Sequence, residues 1–93
     1  MFKVNEYFGG KVKSISFISE GIPATIGVMA KGEYEFGTSS KEFITVISGK
    51  LRVKLPDKPE WKDFWKDESF HVEANRKFQL IVDYDSSYLC IYK

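Results

Sequence analysis

The chain has 93 residues, 43% hydrophobic, 16% aromatic and 29% charged, a composition that builds one folded core and excludes both a disordered tail and a two-domain architecture. Fourteen Lys and Arg against thirteen Asp and Glu leave a formal net charge of +1, which offers little attraction to nucleic acid or an anionic membrane. The single cysteine, Cys90, cannot form an internal disulfide; with no apolar leader and no membrane-length run, the expectation is a cytoplasmic protein of one domain over residues 1–93.

Apolar and polar residues alternate in twos far more often than they recur at helical spacing, which predicts a mostly β chain. Lys11–Ile18 is the first predicted strand, ended by Gly21-Ile22-Pro23 as a turn. Ala24–Ala30 and Tyr34–Phe36 follow, separated at Lys31-Gly32, and Gly37–Ser40 reads as a loop. Glu42–Ile47 and Leu51–Leu55, with Ser48-Gly49-Lys50 between them, have the form of a hairpin. Its second arm sets Lys50, Arg52 and Lys54 against Leu51, Val53 and Leu55, the pattern of a sheet with one wet side. Beyond the proline-bounded loop Pro56–Glu60, Trp61, Phe64 and Trp65 stand at helical spacing, and both a helical turn and a strand are open there. Ser69–Val72, Phe78–Val82 and Tyr88–Tyr92 complete the set, with turns at Glu73–Lys77 and Asp83–Ser87. So many short strands predict a closed barrel or a sandwich.

Several blocks carry a resemblance: Asn5-Glu6-Tyr7-Phe8, Gly10–Ile15, Gly27-Val28-Met29, Gly32-Glu33-Tyr34, Thr45–Gly49 and Ser87–Cys90. Together they resemble the pyrimidine/purine nucleoside phosphorylases, a family of small bacterial cupins, from near residue 5 to residue 92. The resemblance implies an all-β, single-domain, jelly-roll-like cupin barrel, a homodimer, and phosphorolysis of many nucleosides to free base and ribose 1-phosphate. Glu42 and Gly49 fit the spacing of the usual first cupin motif, yet the positions where that motif carries histidines hold Phe36 and Thr38 (or Glu35 and Gly37), and the second motif's histidine falls near Phe78. At Asp67 and Glu73, Gly and Pro are common in the second motif. Glu42 and the differently placed His71 do not make a metal-ligand set, so no metal and no cofactor is expected beyond inorganic phosphate as co-substrate.

Phosphorolysis passes through a sugar carrying positive charge, with base and phosphate on opposite faces of C1′. Acceptance of both base classes favours aromatic stacking over edge recognition, which makes Tyr7, Tyr34, Tyr88 and Tyr92 candidates. The expected catalytic pair is Glu42, for the ribose and its charge, with Tyr34; the expected substrate contacts are Tyr7, Thr45, Gln79, Tyr88 and Tyr92. Phosphate has Lys11, Lys13, Lys41, Arg76, Thr45 and Ser48 to choose from, without a glycine-rich loop. His71 reads as a surface histidine, Cys90 as a buried structural thiol, and Trp61 and Trp65 as core or dimer contacts. The competing function is a non-catalytic cupin that binds nucleosides or sugars; neither nucleic acid nor a membrane is an expected partner.

Overall fold

Ten strands and one 3-10 turn, at Phe8–Gly10, make up the computed structural model, which describes residues 1–93. In chain order they are β1 (Val4–Tyr7), β2 (Val12–Ser19), β3 (Ile22–Met29), β4 (Gly32–Gly37), β5 (Glu42–Ser48), β6 (Lys50–Lys54), β7 (Trp61–Trp65), β8 (Ser69–Val72), β9 (Lys77–Val82) and β10 (Ser86–Tyr92). All pairings are antiparallel, in the orders β1-β2-β3-β10-β5-β8 and β4-β9-β6-β7. The expected all-β cupin jelly roll is therefore present, built as two facing sheets and not as one hydrogen-bonded ring. No helix is long and apolar enough to cross a membrane.

The core lies between the sheets because each strand turns one parity inward. Val12, Met29, Ile44, Val46, Phe70, Val72 and Cys90 from the larger sheet meet Leu51, Val53, Phe64, Phe78, Leu80 and Val82 from the smaller one. Full burial of each such aliphatic side chain is worth about 1.5–3 kcal/mol, the main favourable term in a chain this short.

Two local readings change on seeing the fold, and two open ones are resolved. The Glu42–Ile47 and Leu51–Leu55 arms do not pair with each other: β5 belongs to the larger sheet and β6 to the smaller, and Gly49 is the corner between them. Gly49 has φ +85°, and a Cβ there would overlap the Ser86 side chain, so the chain can turn between sheets only at a glycine. Pro23 lies inside β3, opposite Ile18, and not in a turn; β10 reaches only to Ala24, so β3 lacks a neighbour on that side and the missing N–H costs no ladder bond there. Between the two alternatives at Trp61–Trp65 the strand prevails: Phe64 enters the core, and Asp63 faces Arg52 across the ladder at 2.9 Å. Asp67, where the second cupin motif often has Gly, takes φ 71°, a left-handed conformation that Asp tolerates better than most residues.

Gly27 in β3 has a different duty. It pairs with Ser14 on one side and Tyr88 on the other, and a Cβ on it would collide with the Tyr88 ring at Cζ and Oη. The absent side chain is the space through which that ring lies flat across β3. Gly27→Ala is expected to destabilise the fold by about 1–3 kcal/mol through overpacking, read from urea denaturation. The loss should be much smaller in a Tyr88→Ala background; equal losses in both backgrounds would show that the clash with Tyr88 is not the cause.

Candidate functional site

The inner face of the larger sheet is apolar at one end and polar at the other. At the polar end a cavity of about 250 Å³ opens between the sheets. Phe36, Phe78 and Leu80 of the smaller sheet form one wall; Ser14, Met29, Glu42, Ile44, Tyr88, Cys90 and Tyr92 form the other, with Tyr7, Gly37 and Ser39 at the rim. Tyr7 meets Phe36 edge to face at 5.8 Å between centroids, and Phe36 stacks on Phe78 at 6.0 Å.

Glu42 points inward because it shares the parity of Ile44 and Val46, which are buried. Its neighbour across the ladder is Tyr92, and Cys90 sits one inward position further along β10. The Cys90 thiol donates to Glu42 Oε1 at 3.5 Å. Burial raises the Glu42 pKa above the ordinary carboxyl value, and the Cys90 hydrogen bond partly opposes that rise. The thiol itself is pushed up to about 12, first by burial and then by the Glu42 charge. Cys90 therefore stays protonated near neutrality, a hydrogen-bond donor and not a nucleophile.

Two hydroxyl groupings continue the polar surface. Asn5 Nδ2 donates to Ser14 Oγ at 3.1 Å and to Ser16 Oγ at 3.0 Å, and the Tyr92 hydroxyl is hydrogen-bonded to Thr25 Oγ1 at 3.0 Å. Burial lifts the Tyr88 phenol to about 12, with the Cys90 charge adding and the Ser14 hydroxyl opposing; Tyr92 is raised as well, again chiefly by burial. Both phenols are thus neutral donors across the physiological range.

Of the seven residues singled out from sequence, Glu42, Tyr7, Tyr88 and Tyr92 come together around this cavity. The other three do not line it. Tyr34 is buried in the core, its hydroxyl donating to the Ala30 carbonyl at 2.6 Å and its ring packed on Phe8, so it braces the turn into β4. Thr45 has the outward parity of β5 and shares a 2.7 Å hydrogen bond with Ser69 on the surface. Gln79 faces outward from β9 and reaches Glu35 at 3.4 Å. The proposed phosphate cations are elsewhere too: Lys13, Lys41 and Arg76 pair with Glu6, Glu73 and Asp57 on the surface, and neither they nor Lys11 lines the cavity. His71 is exposed, 3.6 Å from Glu73. Trp61 and Trp65 are exposed on the smaller sheet and take no part in the core.

Sequence reading missed Ser14, Phe36 and Phe78 as lining residues. Ser14 carried a signal, since it and Ser16 stand at the same parity as buried Val12, and a serine repeated on a core face marks a polar lining. No three His, Cys, Asp or Glu side chains converge anywhere. The cavity's only such donors are the Glu42 carboxylate and the protonated Cys90 thiol, which do not fit the ligand sets of a first-row metal.

A family model described as pyrimidine/purine nucleoside phosphorylase matches residues 2–92. The pyrimidine/purine nucleoside phosphorylase of Cellvibrio japonicus is 58% identical over 93 residues, all of both chains, and that of Pseudomonas fluorescens is 60% identical over all of this chain and 99% of its own. A crystal structure of a protein of unknown function from Vibrio parahaemolyticus superposes with a TM-score of 0.96 at 43% identity, covering 100% of this chain and 99% of that one. A putative ethanolamine utilization protein from Salmonella typhimurium, 11% identical with a TM-score of 0.75 over 99% of this chain and 93% of its own, shares the fold alone.

The Glu42 and Cys90 pair generates a direct titration test. In ¹³C-detected NMR of the side-chain carboxyls, Glu42 should protonate above the ordinary glutamate range. Because the thiol favours the charged carboxylate, Cys90→Val should move that midpoint to still higher pH. A midpoint unchanged or lowered in the variant would show that the thiol does not hold the carboxylate.

Proposed function

The chain belongs to the pyrimidine/purine nucleoside phosphorylase family, and we infer that it splits purine and pyrimidine nucleosides with inorganic phosphate, yielding free base and α-D-ribose 1-phosphate. The observation that carries this is the match over essentially the whole chain to phosphorylases 58–60% identical to it. The reaction is a reversible pentosyl transfer from base to phosphate.

The cavity supports a division of labour. As the C1′–N bond lengthens, positive charge develops on the sugar ring, and a preorganised carboxylate in a water-poor site stabilises such charge far better than one in bulk water. Glu42 is the one carboxylate lining the cavity, and we assign it that role together with contact to the ribose hydroxyls. Phe36, Phe78, Tyr7 and Tyr88 offer ring surfaces on which either base class can pack, and the neutral phenol of Tyr88 supplies a hydrogen bond without discriminating by charge, while Tyr92 closes the end of the cavity. The proposed chemistry uses no metal, in keeping with the donor set of the cavity.

A homodimer is part of the same proposal. The outer face of the larger sheet aligns Val4, Ile15, Ile26 and Leu89 across four strands. Val4, Ile15 and Ile26, with Val28 beside them, are 60%, 46%, 44% and 53% exposed. An antiparallel sheet facing water normally alternates polar residues outward, so an apolar stripe there favours a second copy as its cover. The lone, buried, free cysteine suits a cytoplasmic protein.

Chromatography of purified protein with uridine or adenosine should show free base from both, dependent on phosphate and indifferent to a chelator. Release of no base from folded protein would return the non-catalytic alternative. Glu42→Gln should lower kcat at least about tenfold, some 1.4 kcal/mol on the barrier, with the thermal transition retained; full turnover would remove Glu42 from the mechanism. Light scattering should give twice the 10.7 kDa of one chain, and Ile26→Glu should yield the single-chain mass. A monomeric wild type would refute the dimer.

A further inference from the structure

We propose that the phosphate co-substrate binds in a second groove, on the other side of Tyr7 and Tyr92 from the Glu42 cavity, between Lys3 and the hydroxyls of Ser16 and Thr25. This rests on the phosphorylase reading and adds to it the site of the second reactant.

The Glu42 cavity, at about 250 Å³, falls below the roughly 300–1,000 Å³ of ordinary small-molecule pockets. A nucleoside and a phosphate together must extend beyond it. A groove of about 570 Å³ adjoins it, and Tyr7 and Tyr92 line both. Phosphorolysis needs the base on one face of C1′ and phosphate on the other; two spaces with a common wall provide that, with C1′ held at the wall.

Charge separates the two spaces. The cavity holds a carboxylate and no cationic side chain; the groove holds Lys3 and no carboxylate. Unlike Lys13, Lys41 and Arg76, Lys3 makes no ion pair, so its ammonium group is free for a ligand. Its backbone is held, since the Ser16 amide donates to the Lys3 carbonyl at 2.9 Å.

The hydrogen-bonding capacity left in the groove suits an anion. Both amide protons of Asn5 are spent on Ser14 and Ser16, so the Ser16 oxygen already accepts a bond and its own proton is left to donate. Thr25 and Tyr92 share one hydrogen bond, which uses one of their two protons and leaves the other. Beside the Asn5 carbonyl oxygen, the one acceptor-only side-chain oxygen in its lining, the groove therefore presents hydroxyl donors and a cation, which suits a protonated oxyanion. The chemistry balances: a hydrogenphosphate oxygen bonds to C1′, the C1′–N bond breaks with its electron pair going to the base nitrogen, and the phosphate's proton ends on that nitrogen.

Steady-state rates against phosphate at saturating uridine, and against uridine at saturating phosphate, separate the reactants. Lys3→Ala and Ser16→Ala should each raise the phosphate KM, Lys3→Ala by about tenfold or more, while the uridine KM stays within about twofold; Lys3→Arg should restore phosphate use. An unchanged phosphate KM in both variants, or a uridine KM rising in step, overturns the assignment. Calorimetry with inorganic phosphate alone tests the groove without catalysis: binding should weaken about tenfold in Lys3→Ala, and equal binding overturns the groove. A wild type that binds phosphate yet releases no base would count against the phosphorylase reading and not against the groove.

Discussion

The position of β10 between β3 and β5 is the constraint on which the site depends. One strand pairs on both sides, so its inward residues Tyr88, Cys90 and Tyr92 are fixed against Gly27 and Thr25 on one flank and Val46, Ile44 and Glu42 on the other. A register slip of one residue would exchange these for Ser87, Leu89 and Ile91 and remove the site entirely. The β10–β5 ladder shifts register at Ser87/Tyr88. That irregularity lets Ser48 meet Ser87 on the outer surface at 2.6 Å while Val46 stays opposite Tyr88 in the core. Just beyond, Gly49 turns the chain to the other sheet, and Ser86 Oγ accepts from the Lys50 amide at 3.1 Å. The spacing from Glu42 to Gly49 thus joins the cavity's carboxylate to the corner that closes the strand carrying it.

Inside the cavity, electrostatics follows from burial. Glu42 has no cationic partner, so desolvation controls its pKa and a weak donor, the Cys90 thiol, offers its main compensation. A carboxylate held this way is poorly compensated in the resting protein and better compensated once positive charge develops beside it, the condition under which binding energy lowers a barrier. An arginine in contact with Glu42 would steady the fold and weaken that difference. The absence of basic side chains from this cavity is therefore consistent with the role proposed for Glu42, and it accords with the proposal of a separate place for phosphate.

Much of this was legible from sequence, and the failures have local physical causes. The β class followed from twofold alternation, and Glu42 from the spacing to Gly49. Alternation cannot say which parity faces the partner sheet, so Thr45 and Gln79, each one residue from inward neighbours, are candidates from sequence and lie on outward faces in the fold. Tyr34 lies away from the cavity for another reason: a buried tyrosine needs a partner for its hydroxyl, and a backbone carbonyl at a turn satisfies it as well as a ligand would. The hairpin expected at Ser48-Gly49-Lys50 had the right residues for a tight turn, but a turn and a corner between sheets both call for glycine. Only Ser86, distant in sequence and packed against Gly49, distinguishes them.

The β2–β3 hairpin connects the cavity, the groove and the outer face. Beyond Ala24, β10 no longer pairs with β3, while β2 and β3 continue to Ser19 and Ile22. This overhang carries Phe17, Ile18 and Pro23 into the wall of the second groove, and Phe17 and Ile18, with Phe2, Ile15 and Ile26, also line an apolar depression toward the outer face. Ile18 and Phe2 are 66% and 62% exposed in the single chain, more open than side chains that merely complete a core. A partner covering the outer stripe would also cover this edge.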